Sequence, residues 1–110
     1  DIAALGILYE KENYLFRQVC LKTTPPLDYW TEPTENILDK VANLRDDGIP
    51  AYAGTDAGPN VHIFTLPKHV ERVIRTIQEV HGVLDVIHCR VGEGSHLIQD
   101  YLIRETYDIL

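Results

Sequence analysis

Apolar residues recur at helical spacing from Ile2 to about Leu21: Ile2, Leu5, Leu8 and Tyr9, then Leu15, Phe16 and Val19. Positions three and four apart share one face of a helix, so this spacing predicts an amphipathic helix. Lys11-Glu12-Asn13 interrupts the stripe and predicts a kink or two shorter helices. Thr23-Thr24-Pro25-Pro26 ends the region, because proline lacks the backbone donor and pushes the preceding residue into extended geometry. Leu27-Asp28-Tyr29-Trp30 then reads as an aromatic loop. Thr31 or Thr34 can cap a second helix, with Glu32 and Glu35 at its positive end and Ile37, Leu38, Val41 and Leu44 on its buried face. Arg45 falls in the last turn, and Gly48 suits a left-handed exit.

Beyond Gly48 the pattern changes period. Ile49 to Thr55 reads as a strand, with Pro50 confining its start to an edge or an unbonded position. Val61 to Leu66 alternates and is β-branched at Val61 and Ile63, which predicts a second strand. Pro67 stands where a helix favours proline, and Val70, Val73, Ile74, Ile77 and Val80 mark a clean apolar stripe closed by Gly82. Val83 to Val91 reads as a third strand, followed by a flexible Gly92-Glu93-Gly94 turn. Leu97, Ile98, Tyr101 and Leu102 hint at a short helix within His96 to Leu110. The order helix, helix, strand, strand, helix, strand predicts an α+β fold: a ferredoxin-like antiparallel sheet with helices packed on one face.

Composition narrows the function classes. A chain of 110 residues that is 45% hydrophobic and 25% charged can bury one core. Its net charge of −7 argues against a nucleic-acid phosphate track, and any phosphate must be held by a few local groups or by another part of the molecule. Cys20 and Cys89 cannot make a disulfide framework, which points to a reduced, cytoplasmic setting. No apolar run approaches membrane-spanning length, and no signal segment opens the chain. A start on Asp1, without methionine, reads as a portion of something longer.

Four stretches bear on chemistry. Asp56-Ala57-Gly58-Pro59-Asn60 joins the first two strands. By turn chemistry it is a loose hairpin loop, longer than the minimal Asn-Gly or Asp-Gly turn. The same geometry lets a backbone approach a small anionic substrate at Gly58 while the Asp56 carboxylate accepts a proton or orients a hydroxyl. Gly92-Glu93-Gly94-Ser95 has two glycines one residue apart, which cradle a phosphate only in a strand-turn-helix context, and a flexible strand exit is the simpler reading. Thr23 to Trp30 is either a rigid crossing between helices or a proline-rich docking segment, and packing on the core is the simpler reading. His62, His69, His81, His88 and His96 form no His-x-x-x-His pair and stand at no metal-site spacing, so no metal site is expected.

Two of these stretches carry a resemblance. Thr55-Asp56-Ala57-Gly58-Pro59-Asn60-Val61, followed by Ile63-Phe64, resembles the signature of the mevalonate diphosphate decarboxylases, within the superfamily of galactokinase, homoserine kinase and mevalonate kinase. Val19 to Trp30 is similar to that family's Cys-Leu-Asp-Thr-x-Pro-Pro-aromatic segment, with Lys22 where many relatives carry Asp. Ala53-Gly54 also departs from the family's aromatic-Thr pair.

The resemblance implies that residues 1–95 are the C-terminal catalytic portion of a two-domain, ATP-dependent carboxy-lyase, with 96–110 as an extension. Such enzymes activate a tertiary hydroxyl with ATP, then lose phosphate and carbon dioxide to make isopentenyl diphosphate for isoprenoid biosynthesis. It implies Asp56 as the catalytic residue, Thr55, Ala57, Gly58 and Asn60 as the substrate-pocket wall, and Gly92 and Gly94 on the border of the same cleft. It implies ATP and Mg2+ as cofactors, held mainly by an N-terminal domain outside the chain, so that the chain alone is inactive. It also places the first of the family's four strands upstream of Asp1. Its partners are a mevalonate phosphate and that N-terminal domain, with a homodimer left open. Phosphomevalonate and mevalonate 3,5-bisphosphate decarboxylases share related sequences. A free-standing ferredoxin-like ligand-binding module is the reading from another class, because this order of elements serves many functions.

Overall fold

A computed structural model describes residues 1–99. Helix α1 spans Ile2–Leu21 without interruption, capped by the Asp1 carboxylate, which accepts from the backbone N–H groups of Ala3 and Ala4. The expected kink at Lys11-Glu12-Asn13 is absent. The stripe breaks there because Asn13 is buried and polar for a reason outside the helix: its amide is bonded to Thr55.

Helix α2 spans Glu32–Asp46 and starts at Thr31, not Thr34. Thr31 accepts from the Thr34 backbone while the Thr34 hydroxyl accepts from the Thr31 N–H, which satisfies two of the orphan donors at a helix start. The C-terminus closes as a Schellman motif: Gly48 N–H donates to Arg45 C=O and Ile49 N–H to Leu44 C=O, both at 2.9 Å. Leu44 and Ile49 then enter the core together.

Strands β1 (Tyr52–Thr55) and β2 (Val61–Phe64) pair antiparallel, with Tyr52 opposite Phe64 and Thr55 opposite Val61. Pro67–His69 is a tight 3-10 turn leading into helix α3, Val70–Gln78. Because strand side chains alternate, the two faces of this ribbon bury different neighbours. Ala51 and Ala53 join Val41, Leu44, Ile49, Val73 and Ile77 in one core, with Val61 and Ile63 packed against it, so α2 and α3 cover that face. Tyr52, Gly54 and Phe64 face α1: Tyr9 lies over Gly54, and its ring centroid is 5.3 Å from that of Phe64. The fold is α+β as expected, but the helices do not share one face. The long apolar α1 covers the second.

The expected third strand is a further correction. Val83 to Val91 makes no ladder among the described residues. Val83 and Val86 rest against the core, while Leu84, Ile87 and Val91 are exposed at 100%, 80% and 103%. An apolar, β-branched run becomes a strand only when a neighbour takes its backbone bonds, and among the described residues none lies beside this segment. His96 to Gln99 forms no helix, and the rest of the suggested C-terminal helix lies outside the described residues.

The outer edge of β1 is closed by side chains rather than by a strand. Arg45 donates to the Ala51 carbonyl at 2.6 Å, Glu10 accepts from the Ala53 N–H at 3.0 Å, and Asn13 donates to the Thr55 carbonyl at 2.6 Å. Glu10 and Arg45 also pair through two bonds, 2.8 and 3.0 Å. A forked, half-buried pair of this kind joins α1, α2 and β1 at one point. Replacing Glu10 with Ala strands the Arg45 guanidinium and the Ala53 N–H. The expected cost is about 1–2 kcal/mol, at the lower end for bonds to charged groups because the pair keeps some solvent access. Urea unfolding measures it, and an unchanged midpoint would show that the edge is held elsewhere.

Candidate active site

The hairpin loop 56–60 leaves the end of β1 at a strongly restrained point. Thr55 is buried, and its hydroxyl accepts from the Asn13 amide at 3.2 Å and from the Trp30 indole N–H at 3.1 Å. Its carbonyl takes the Asn13 bond already described. Helix α1, the aromatic loop and β1 therefore converge on the residue immediately before Asp56.

The far end of the loop is held from α2. Thr34 is 1% exposed, and its hydroxyl donates to the Pro59 carbonyl at 2.7 Å. Between these anchors Gly58 has φ +122, a conformation that side chains disfavour, and a Cβ there would stand 2.7 Å from the Tyr29 carbonyl oxygen. Only glycine lets the loop lie this close to the aromatic segment. The two stretches that carried the resemblance are thus packed against one another, a contact that spacing alone could not show.

Thr55 is buried, Ala57 and Gly58 are half-buried, and Asp56 and Asn60 are exposed. The fold fixes the backbone on both sides of Asp56 and leaves its carboxylate in solvent, open to a ligand. Ala57 lines a shallow cleft with Phe16, Arg17, Cys20, Tyr29 and Trp30. Gly92 and Gly94 do not border it. Both lie in open space on the segment after Val83, which forms no ladder or helix among the described residues.

Sequence reasoning passed over several residues of this region. Asn13 showed only as a break in a stripe, and Thr34 as a second capping candidate. Arg17 gave no signal, yet it lies 4.0 Å above the Trp30 ring and bonds Asp28 through two nitrogens, at 3.3 and 3.1 Å, and Glu35 at 3.1 Å. The hydrogen bond from Arg17, then that from the Trp30 N–H, holds the Asp28 carboxyl below its ordinary range. The Asp28 bond likewise raises Arg17. Tyr9 is raised by burial first, then by the nearby carboxylates of Asp56 and Glu12.

Among the described residues no group of three His, Cys, Asp or Glu side chains is placed to hold a metal ion. No helix there is long and apolar enough to cross a membrane.

Comparison with known proteins assigns this α+β domain to a family of decarboxylases. Residues 1–100 match the family described as mevalonate 5-diphosphate decarboxylase C-terminal domain, and the chain belongs to that family. Diphosphomevalonate decarboxylase of Debaryomyces hansenii is 33% identical over 79 residues, covering 70% of this chain and 20% of the relative. Among solved structures, mevalonate diphosphate decarboxylase from Staphylococcus aureus superposes with TM-score 0.68 at 29% identity, over 71% of this chain and 24% of that one. The Enterococcus faecalis enzyme, in a structure titled for its mevalonate diphosphate mediated ATP binding mechanism, gives TM-score 0.69 at 29% identity, over 74% and 26%. The chain therefore spans about a fifth of the curated relative and a quarter of these solved chains.

Two measurements check this geometry. Asn13→Ala leaves the Thr55 carbonyl without its partner and is expected to cost about 1–3 kcal/mol in denaturant unfolding, as for other unsatisfied buried groups. A cost near zero would show that Asn13 does not anchor the loop. The Asp28 carboxyl is expected to titrate below the usual ~3.9 and to return toward it in Arg17→Met, followed by carboxyl NMR. Because its native value is depressed, the pair's stabilisation is present above the ordinary carboxylate value and is lost as pH falls through the lower native one. An ordinary titration of Asp28 in the unsubstituted protein would contradict the pairing.

Proposed function

We propose that this chain is the C-terminal catalytic portion of an ATP-dependent mevalonate diphosphate decarboxylase that makes isopentenyl diphosphate, with Asp56 as its catalytic carboxylate. The observation that carries the reading is the clamped loop. Asn13 holds the Thr55 carbonyl, Trp30 the Thr55 hydroxyl and Thr34 the Pro59 carbonyl, on either side of Asp56, while Asp56 itself stays exposed. A site that must meet a reacting oxygen at hydrogen-bond distance needs a rigid backbone beneath a free side chain.

In this reading the Asp56 carboxylate accepts a hydrogen bond from the tertiary hydroxyl of the substrate and takes its proton as that oxygen becomes a nucleophile. Asp56 lies on the surface, where its carboxylate can reach a substrate. Thr55 and Ala57 hold the loop backbone, Gly58 keeps the wall thin, and Asn60 presents a neutral polar group at the loop's far end. ATP and Mg2+ are assigned mainly to an N-terminal domain of the same enzyme. Residues 1–95 form the catalytic portion, and 96–110 are an extension to it. The unpaired cysteines Cys20 and Cys89 accord with a cytoplasmic enzyme.

Asp56→Asn in the full-length protein keeps the size and polarity of the side chain but removes the base. Carbon dioxide release from mevalonate diphosphate is expected to fall by about 10²–10⁴-fold, the usual contribution of a positioned base, with the melting temperature unchanged. Turnover near that of the unsubstituted enzyme would refute the assignment.

A further inference from the structure

Tyr9 stands over Gly54, two residues before the proposed catalytic carboxylate. Gly54 faces α1, and a Cβ built there would lie 2.7 Å from Tyr9 Cε1, 2.9 Å from Cζ and 3.1 Å from the hydroxyl oxygen. The phenol therefore fills the place where a residue-54 side chain would be. Asp56 follows Gly54 by two residues and opens the loop directly after β1 ends at Thr55, so the phenol lies over the part of the strand that leads into the loop. The Asp56 carboxylate also raises the Tyr9 phenol, second to burial, which accords with that closeness.

The ring and the hydroxyl of Tyr9 have different surroundings. The ring packs against Phe64 at a centroid distance of 5.3 Å, as phenylalanine would also do. The hydroxyl has no hydrogen-bond partner among the described residues, and none of their fully buried side-chain polar atoms is left unpartnered, so the hydroxyl reaches solvent. A half-buried phenol beside an exposed carboxylate, with its donor unused, is a group placed to meet a ligand. Burial and the carboxylates of Asp56 and Glu12 also keep it protonated, hence a neutral donor, throughout the neutral range.

We propose that Tyr9 is a second substrate-contacting residue of this site, its hydroxyl standing in the space Gly54 leaves and donating a hydrogen bond to an oxygen of the substrate bound at Asp56. The inference rests on the reading of Asp56 given above. Asp56 addresses the reacting hydroxyl as an acceptor. Tyr9 supplies the complementary donor, for an oxygen adjoining the same carbon. No bond is made or broken at Tyr9.

The test is Tyr9→Phe in the full-length protein, beside Asp56→Asn. The substitution keeps the ring over Gly54 and against Phe64, so the melting temperature is expected to hold. Mevalonate diphosphate affinity by calorimetry, and kcat/KM, are expected to fall about tenfold, the size of one lost hydrogen bond. With ζ-13C-labelled tyrosine, the resonance that disappears in Tyr9→Phe should also be the one shifted most by substrate, ahead of Tyr14, Tyr29 and Tyr52. Unchanged affinity and kcat/KM, or a Tyr9 resonance that ignores bound substrate, overturns the proposal while Asp56→Asn remains inactive. Full turnover in Asp56→Asn, or no binding of mevalonate diphosphate by the unsubstituted protein, overturns the underlying reading and this inference with it.

Discussion

The free edge of β1 is the constraint on which the rest of the structure depends. A strand edge carries backbone groups that must find partners, and here three side chains supply them in sequence along the edge. Arg45 takes the Ala51 carbonyl, Glu10 the Ala53 N–H and Asn13 the Thr55 carbonyl. Two of the three come from α1, one turn of helix apart, so their spacing along the helix must match that of alternate residues along the strand. The match sets where α1 lies, and the position of α1 decides what surrounds Asp56.

Rigidity accumulates toward the loop and stops at the carboxylate. Thr55 holds bonds from α1 and from the aromatic segment, Gly58 lies against the Tyr29 backbone, and Thr34 holds Pro59 from the start of α2. These contacts hold Thr55, Gly58 and Pro59, and none of them engages the Asp56 side chain. Such a division suits a residue that must meet a substrate, because the entropy of fixing the loop is lost on folding and not again on binding. Arg17, stacked on Trp30 and paired with Asp28 and Glu35, extends the same support to the segment behind the loop.

Much of the helical architecture was legible in the sequence because local chemistry governs it. The stripe of α3, the Pro67 start and the Gly48 exit all follow from period, φ and capping, and each falls where local rules place it. The failures share a cause. Val83 to Val91 has the composition of a strand, but a strand is defined by a neighbour, and a neighbour is not a local property. Asn13 looked like a flaw in an apolar stripe because its partner, Thr55, is 42 residues away. Helices were expected on one face of the sheet because the pattern shows which side of a helix is apolar, not which side of the sheet it meets.

The candidate site divides along the same line. The sequence by itself determined the loop that bears Asp56, the glycine within it and the family to which both belong, since these depend on residue types in consecutive order. Only the tertiary structure decided that the Pro-Pro-aromatic segment backs the loop, that Thr34 holds its far end, and that Tyr9 stands over Gly54, two residues before the carboxylate. Those contacts join residues far apart in the chain through shape and hydrogen-bond geometry. Such properties exist only once the backbone has closed on itself.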